Sequence, residues 1–216
     1  MRRATSETSG PRFLDLVTRG YRESRTCDAG KTISGVGRGF TLLRNARKWS
    51  QPSVGAGSPK AMEARGRQWR LVMAWGGFEI FAKAHMCPFR EAGAPHVSHF
   101  VEIAQRKHPA ISNHRYPLPI GKSRSVKAIA RAKSLVLEGK ADGRFWHGWL
   151  QGDAAIVDAI HAAQLARVVR NLSAHGVLSP DLAIELNAVA LCDALVNALV
   201  TIAGEVITGS VSQTKA

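Results

Sequence analysis

The chain has 216 residues with 45% hydrophobic content, enough for one globular domain plus a tail or for a single large domain. A formal charge of +14 points to an anionic partner, nucleic acid first and an anionic membrane second. Cys27, Cys87 and Cys192 stand far apart with no CxxC spacing, which argues against a disulfide framework or a zinc ribbon and suits the cytosol.

The charge is uneven. Residues 1–60 carry 12 Lys/Arg against 4 Asp/Glu, residues 61–145 carry 15 against 6, and residues 146–216 carry 3 against 6. Arg2-Arg3 is not followed by an apolar core, so no signal peptide is read. Residues 1–60 are rich in Arg, Gly and Ser, with short apolar patches only at 13–17 and 40–43. They read as a basic, poorly ordered tail with at most marginal turns, suited to nonspecific polyphosphate contact. A mis-assigned start codon is an alternative source of such a tail.

A helical pattern runs from about Ala61 to Met86, with Trp69, Val72, Met73, Trp75, Phe78, Ile80 and Phe81 on a broad face expected to be core. Glu79 and Lys83 stand in the favourable i, i+4 order. Gly76-Gly77 costs about 1 kcal/mol per Gly relative to Ala, so close packing is expected there. A second helix is expected from about Pro95 to His108, ahead of a linker at 112–121 interrupted by Pro117, Pro119 and Gly121. A third is expected over 123–137, with Val126, Ile129, Ala130 and Val136 inward. Arg124, Lys127 and Arg131 form its basic stripe, a candidate RNA-contacting face whose alternative is a plain solvated surface.

Residues 139–148 read as a turn-rich break. A fourth helix is expected from about 152 to His175, stopped by Gly176 in the left-handed conformation. Ser179, Pro180 and Asp181 spell N-cap, first helical position and first-turn acid of a fifth helix running to about Ile207. Asp193, Asn197, Thr201 and Glu205 form its one polar stripe, and so apolar a helix belongs in a bundle centre or a dimer interface. The same polar residues count against a membrane span in 188–208. No alternating strand pattern of any length is present. The fold class is all-α, a bundle of four or five helices, in a soluble cytoplasmic protein with no membrane partner.

Two Arg residues are followed by a His four to six positions later, Arg90 by His96 and Arg170 by His175. The first falls in a loop with Gly93 and Pro95. The second sits where one helical pattern stops and the next begins. An Arg can clamp a phosphate and a His can move a proton, the minimum kit for RNA cleavage without a metal. Along a continuous helix the two side chains lie about 140° apart. Either the last turn frays, or the groups converge from two subunits. Capping of helix-end carbonyls is the purely structural use of such residues.

The run Arg170-Asn171-Leu172-Ser173-Ala174-His175-Gly176, at the junction of the last two long helices of a bundle, resembles the signature of the HEPN superfamily: Arg, four to six residues, then His, often with Asn after the Arg. The resemblance covers 150–208 most closely and extends over a domain at 61–216. It implies a metal-independent endoribonuclease that homodimerises so that two Arg–His pairs line one cleft, acting as a toxin, in antiviral defence or in RNA processing, with an antitoxin or regulatory protein as a further partner. It equally implies relatives that only bind RNA or a partner. On the enzymatic reading Arg170 holds the phosphate, His175 transfers the proton and Asn171 orients either group. The 2′-hydroxyl of RNA is the nucleophile, so no cofactor or metal is expected.

Other constellations are weaker. Gly121-Lys122-Ser123 lacks the earlier Gly of a P-loop, because Tyr116 stands there. His85, Cys87, His96 and His99 match no common zinc spacing. His161 reads as a core or interface histidine, and Trp146, His147 and Trp149 as packing rather than base stacking.

Overall fold

A computed structural model describes residues 29–50, 53–86, 97–121, 125–137, 141–153 and 155–213. Their helices are α1 Ala29–Lys48, α2 Pro59–His85, α3 Val97–Lys107, α4 Pro109–Asn113, α5 Val126–Ser134, α6 Ala141–Gln151, α7 Ala159–Ala174, α8 Pro180–Glu185 and α9 Ala188–Gln213. Two-residue strands, β1 Tyr116–Pro117 and β2 Ile156–Val157, pair antiparallel. The class is all-α. Helix α2 is the centre, with α1, α7, α8 and α9 packed on it.

The largest correction concerns residues 29–48. Expected within the basic tail, they form the 20-residue helix α1, antiparallel along α2. Its inward stripe is Gly35, Val36, Gly39, Leu43 and Ala46, too rich in glycine to read as an amphipathic face. Glycine makes the contact possible. A Cβ on Gly39 would lie 2.5 Å from the backbone N of Phe81 and 2.6 Å from the carbonyl O of Gly77. One on Gly77 would lie 2.8 Å from the Gly39 carbonyl O. The backbones therefore meet directly, and the dispersion gained offsets the entropic penalty of glycine in a helix. Residues 1–28 lie outside the described residues.

Within α2, Ser58 caps the start by accepting from the Ala61 N–H, and Pro59 opens the first turn. Trp75, Phe78 and Phe81 are buried as expected, whereas Trp69 and Ile80 are exposed. Gly77 gains the expected close packing, but a Cβ on Gly76 would meet nothing. Lys83 bonds Glu79 at 2.7 Å.

The third expected helix is shorter. Ser125 caps it, and Ala128 and Ala132 are its buried residues, so Val126, 82% exposed, and Ala130 face outward rather than inward. The inward face of α5 is thus formed by two alanines four residues apart. Of the expected break at 139–148, residues 139–140 lie outside the described residues and 141–148 are instead part of α6. Phe145, Trp146, Trp149 and Leu150 recur at i, i+1, i+4 and i+5 and are all buried, and their burial overrides Gly148. The two indoles stay satisfied: Trp146 Nε1 donates to the Ala132 carbonyl and Trp149 Nε1 to that of Pro119, each at 2.7 Å.

Helix α7 begins later than expected, at Ala159, because Asp158 caps it by accepting from the His161 N–H at 2.8 Å. The preceding Ile156-Val157 leaves for the strand pair. Ser179, Pro180 and Asp181 take their expected places, Ser179 accepting from the Leu182 N–H. The helix they open is then broken at Asn187, whose φ of 63° separates α8 from α9. Helix α9 buries Leu191, Leu195, Val196, Leu199, Ile202, Ala203 and Val206. By length and composition Ala188–Gly209 could cross a membrane, but 56% of its 18-residue apolar window is buried within the fold.

Candidate nucleic-acid and catalytic site

The end of α7 carries the candidate catalytic residues. Arg170 and Asn171 lie in its last turns, both half-buried, and the Arg170 Nη1 donates to the Asn171 Oδ1 at 2.8 Å. Enclosed in the fold, the Arg170 Nε has no hydrogen-bond partner. The helix stays continuous through Ala174, so the frayed last turn is not what the structure contains. His175 is its C-cap, at φ −86° and ψ 3°, with its N–H on the Asn171 carbonyl at 3.1 Å. Gly176 turns the chain at φ 68°, and the Leu178 N–H closes back on the Leu172 carbonyl at 2.9 Å. Space is not the constraint at Gly176, since a Cβ there meets nothing; the left-handed backbone is.

Geometry therefore joins Arg170 to Asn171 and leaves His175 apart. A five-residue offset on this helix corresponds to about 7.5 Å of rise and about 140° of rotation. His175 is exposed, as are Ala174, Gly176 and Val177 around it. Among the described residues, its ring makes no hydrogen bond or ion pair. The arrangement gives one guanidinium held by an amide, and one imidazole free to meet a group arriving from outside.

The candidate RNA-contacting stripe is partly placed. Lys127 and Arg131 are exposed one turn apart on α5. Arg124 lies outside the described residues.

His161 fits the core reading. Its ring meets Phe145 edge to face at 4.9 Å, its Nε2 is enclosed without a partner, and desolvation by burial lowers its pKa. His85 stacks on Phe81 and stands edge-on to Phe100, where burial, aided by His108 and Lys107, lowers its pKa to about 4. Of the weak zinc constellation, Cys87 and His96 lie outside the described residues, and no cluster of three metal-ligating side chains occurs among the described residues.

Two features escaped the sequence. Arg67 on α2 bonds Asp193 of α9 at 2.6 Å through its Nη1, and the Arg70 Nη1 approaches the same carboxylate at 3.4 Å while donating to the Trp49 carbonyl at 3.1 Å. One step along, the buried Gln68 donates to the Leu178 carbonyl at 2.7 Å. A single turn of α2 thus fastens the end of α1, the start of α9 and the turn after His175. The arginines recur at i and i+3 with a glutamine between, but their partner is 126 residues away and no local spacing announces it. The second feature is an open cleft of about 610 Å³ lined by Glu102, Gln105, Arg106, Ser112, Arg115, Asp158 and Ile160. It lies at the start of α7, some ten residues or about 15 Å of helix from Arg170, and its charges are mixed. It is not part of the Arg–His site.

Comparison of the chain with family models, with curated proteins and with solved structures gave no match in any of the three.

Proposed function

We propose that this protein is an endoribonuclease of the HEPN kind, in which Arg170 and Asn171 of one copy work with His175 of a second. The observation that carries the reading is the end of α7: Arg170 and Asn171 bonded to each other one turn before an exposed His175, in an all-helical bundle. Arg170 binds a non-bridging phosphate oxygen and stabilises the charge that grows on it in the pentacovalent transition state. Asn171 holds the guanidinium in place. His175, as base, takes the proton of the RNA 2′-hydroxyl; the freed oxygen attacks phosphorus as the bond to the 5′-oxygen breaks. The 5′-oxygen leaves with a proton taken from water, and the products are a 2′,3′-cyclic phosphate and a 5′-hydroxyl. Proton transfer of this kind contributes about 10²–10⁴ in rate. Two copies are invoked because the continuous helix turns Arg170 and His175 to different sides.

One observation favours the second reading, a non-catalytic helical RNA- or partner-binding module: among the described residues of a single copy, no hydrogen bond or ion pair orients the His175 ring. Cleavage of a mixed-sequence RNA in EDTA separates the two. The enzyme reading expects cyclic-phosphate products from the wild type and at least a hundredfold loss in His175→Ala. RNA bound but uncut by the wild type is the outcome of the binding module. Cleavage that survives His175→Ala removes this site from the reaction.

A further inference from the structure

We infer that the outer face of α1 is the surface on which this protein holds the RNA backbone. The inference rests on the ribonuclease reading only for the choice of RNA over DNA. Between Ala29 and Lys48 there is no acidic residue. On the side away from α2, Ser34, Arg38, Thr41, Arg44, Asn45 and Lys48 are all exposed. At 100° per residue these six fall within an arc of about 120°, so three cations alternate with three small hydrogen-bonding side chains on one face. Arg47, also exposed, flanks that arc. Among the described residues none of Arg38, Arg44, Arg47 and Lys48 has a carboxylate partner, and the Arg38 Nε bonds only the Ser34 carbonyl one turn back. From Arg38 to Lys48 the face extends about 15 Å, the length of several phosphates along a strand.

Charge and chemistry select the partner. A helix that lies on an anionic membrane inserts an apolar face beneath its cations, but the apolar face of α1 is already spent on α2. What remains outward is Arg, Lys, Ser, Thr and Asn, the side chains that bind phosphate oxygens without reading bases. Position connects this face to the Arg–His site. Trp49, directly after α1, is held by Arg70, and Leu178, in the turn after His175, is held by Gln68. These two residues of α2 lie within one turn, so the Lys48 end of the face and the His175 turn occupy the same end of the bundle. A strand lying along α1 runs toward His175.

Binding of a fluorescein-labelled single-stranded RNA, followed by anisotropy from 50 to 300 mM salt, tests the inference. All proteins carry His175→Ala, so that binding is read without cleavage. The triple variant Arg38→Gln, Arg44→Gln, Lys48→Gln is expected to lose at least tenfold in affinity at about 100 mM salt. Its plot of log K against log salt should flatten by about 2, three phosphate contacts at about 0.7 each. A control removes the same charge elsewhere on the surface with Lys60→Gln, Arg106→Gln and Arg115→Gln. All six side chains are exposed, and circular dichroism and thermal unfolding verify that both variants fold. Equal losses in the two triples, or no loss in the α1 triple, overturn the inference. So does tighter binding to vesicles of anionic phospholipid than to RNA that vanishes in the α1 triple. RNA held through α1 by a protein that never cuts would sink the ribonuclease reading alone, while cutting by a protein whose α1 triple binds RNA unchanged would sink this inference alone.

Discussion

Helices α1 and α9 both pack along α2, and they solve that task with opposite chemistry. Helix α1 has no acid along its length, and α9 has no base. Helix α1 approaches through glycines, backbone against backbone, and keeps every described cation outside. Helix α9 approaches through Leu, Val and Ile, and commits its Asp193 to Arg67 and Arg70 of α2. The contrast teaches that the basic excess of this protein is sorted by the fold. One side of α2 neutralises its charges against α9, and the other displays a clean cationic helix.

Each half of the contrast can be broken separately, and the largest effect belongs to the glycine contact. In Gly39→Leu the new side chain begins 2.5 Å from the Phe81 backbone N and cannot be housed without moving α1. Stability in urea should fall by about 3 kcal/mol, and protease sites in 29–48 should open first. Unchanged protection of α1 would contradict the described contact.

Acid should act on the end of α2 with an effect of similar order. His85 has a pKa of about 4 in the folded protein against 6.5 unfolded. Above about pH 6.5 the shift costs nothing. As the pH falls toward 4 the unfolded chain binds a proton that the folded one refuses, and stability drops by an amount on the order of 3 kcal/mol, levelling below 4. His85→Leu should flatten that dependence by about one proton, measured as the slope of unfolding free energy between pH 6.5 and 4.5.

On the α9 side, Asp193→Ala leaves Arg67 with only Glu63, at 3.3 Å, among the described residues, and takes from Arg70 the carboxylate it approaches. The Arg67–Asp193 pair is part-exposed, so the expected loss is about 2 kcal/mol rather than the larger value of a fully buried pair. The smallest effect sharpens the glycine argument. Gly76→Ala meets nothing and should stabilise by about 1 kcal/mol, whereas the same change at its neighbour Gly77, 2.8 Å from the Gly39 carbonyl, should destabilise. Thermal unfolding of the two variants side by side gives the sign.

The same physics explains what was legible in the sequence. Strong apolar periodicity announced α2 and α9, and Gly176, Ser179 and Pro180 marked the end of α7 and the start of α8 within a residue. Helix α1 was hidden because its contact depends on Gly35 and Gly39, residues that carry helix-breaking and turn-forming weight when read locally. Helix α6 was hidden by Gly139, Gly143 and Gly148, against which four buried large side chains prevail. Asn187 could be read as just another position of a long helix, and only its positive φ divides it. At the candidate site, the spacing of Arg170, Asn171 and His175 gave the residues and their place at a helix end. It could not give the Arg170–Asn171 bond, nor the unbroken last turn that separates His175 from both.

That separation supplies the most direct test of a site shared by two copies. Arg170→Ala and His175→Ala, each folded and each inactive on RNA alone, are mixed under conditions that exchange subunits. If the Arg of one copy works with the His of the other, the mixed dimer contains one intact pair, and the mixture should recover about a quarter of wild-type cleavage: half of all dimers mixed, each with one of two sites. A mixture as inactive as its components, with mixed dimers demonstrated by mass, would contradict a site shared between two copies.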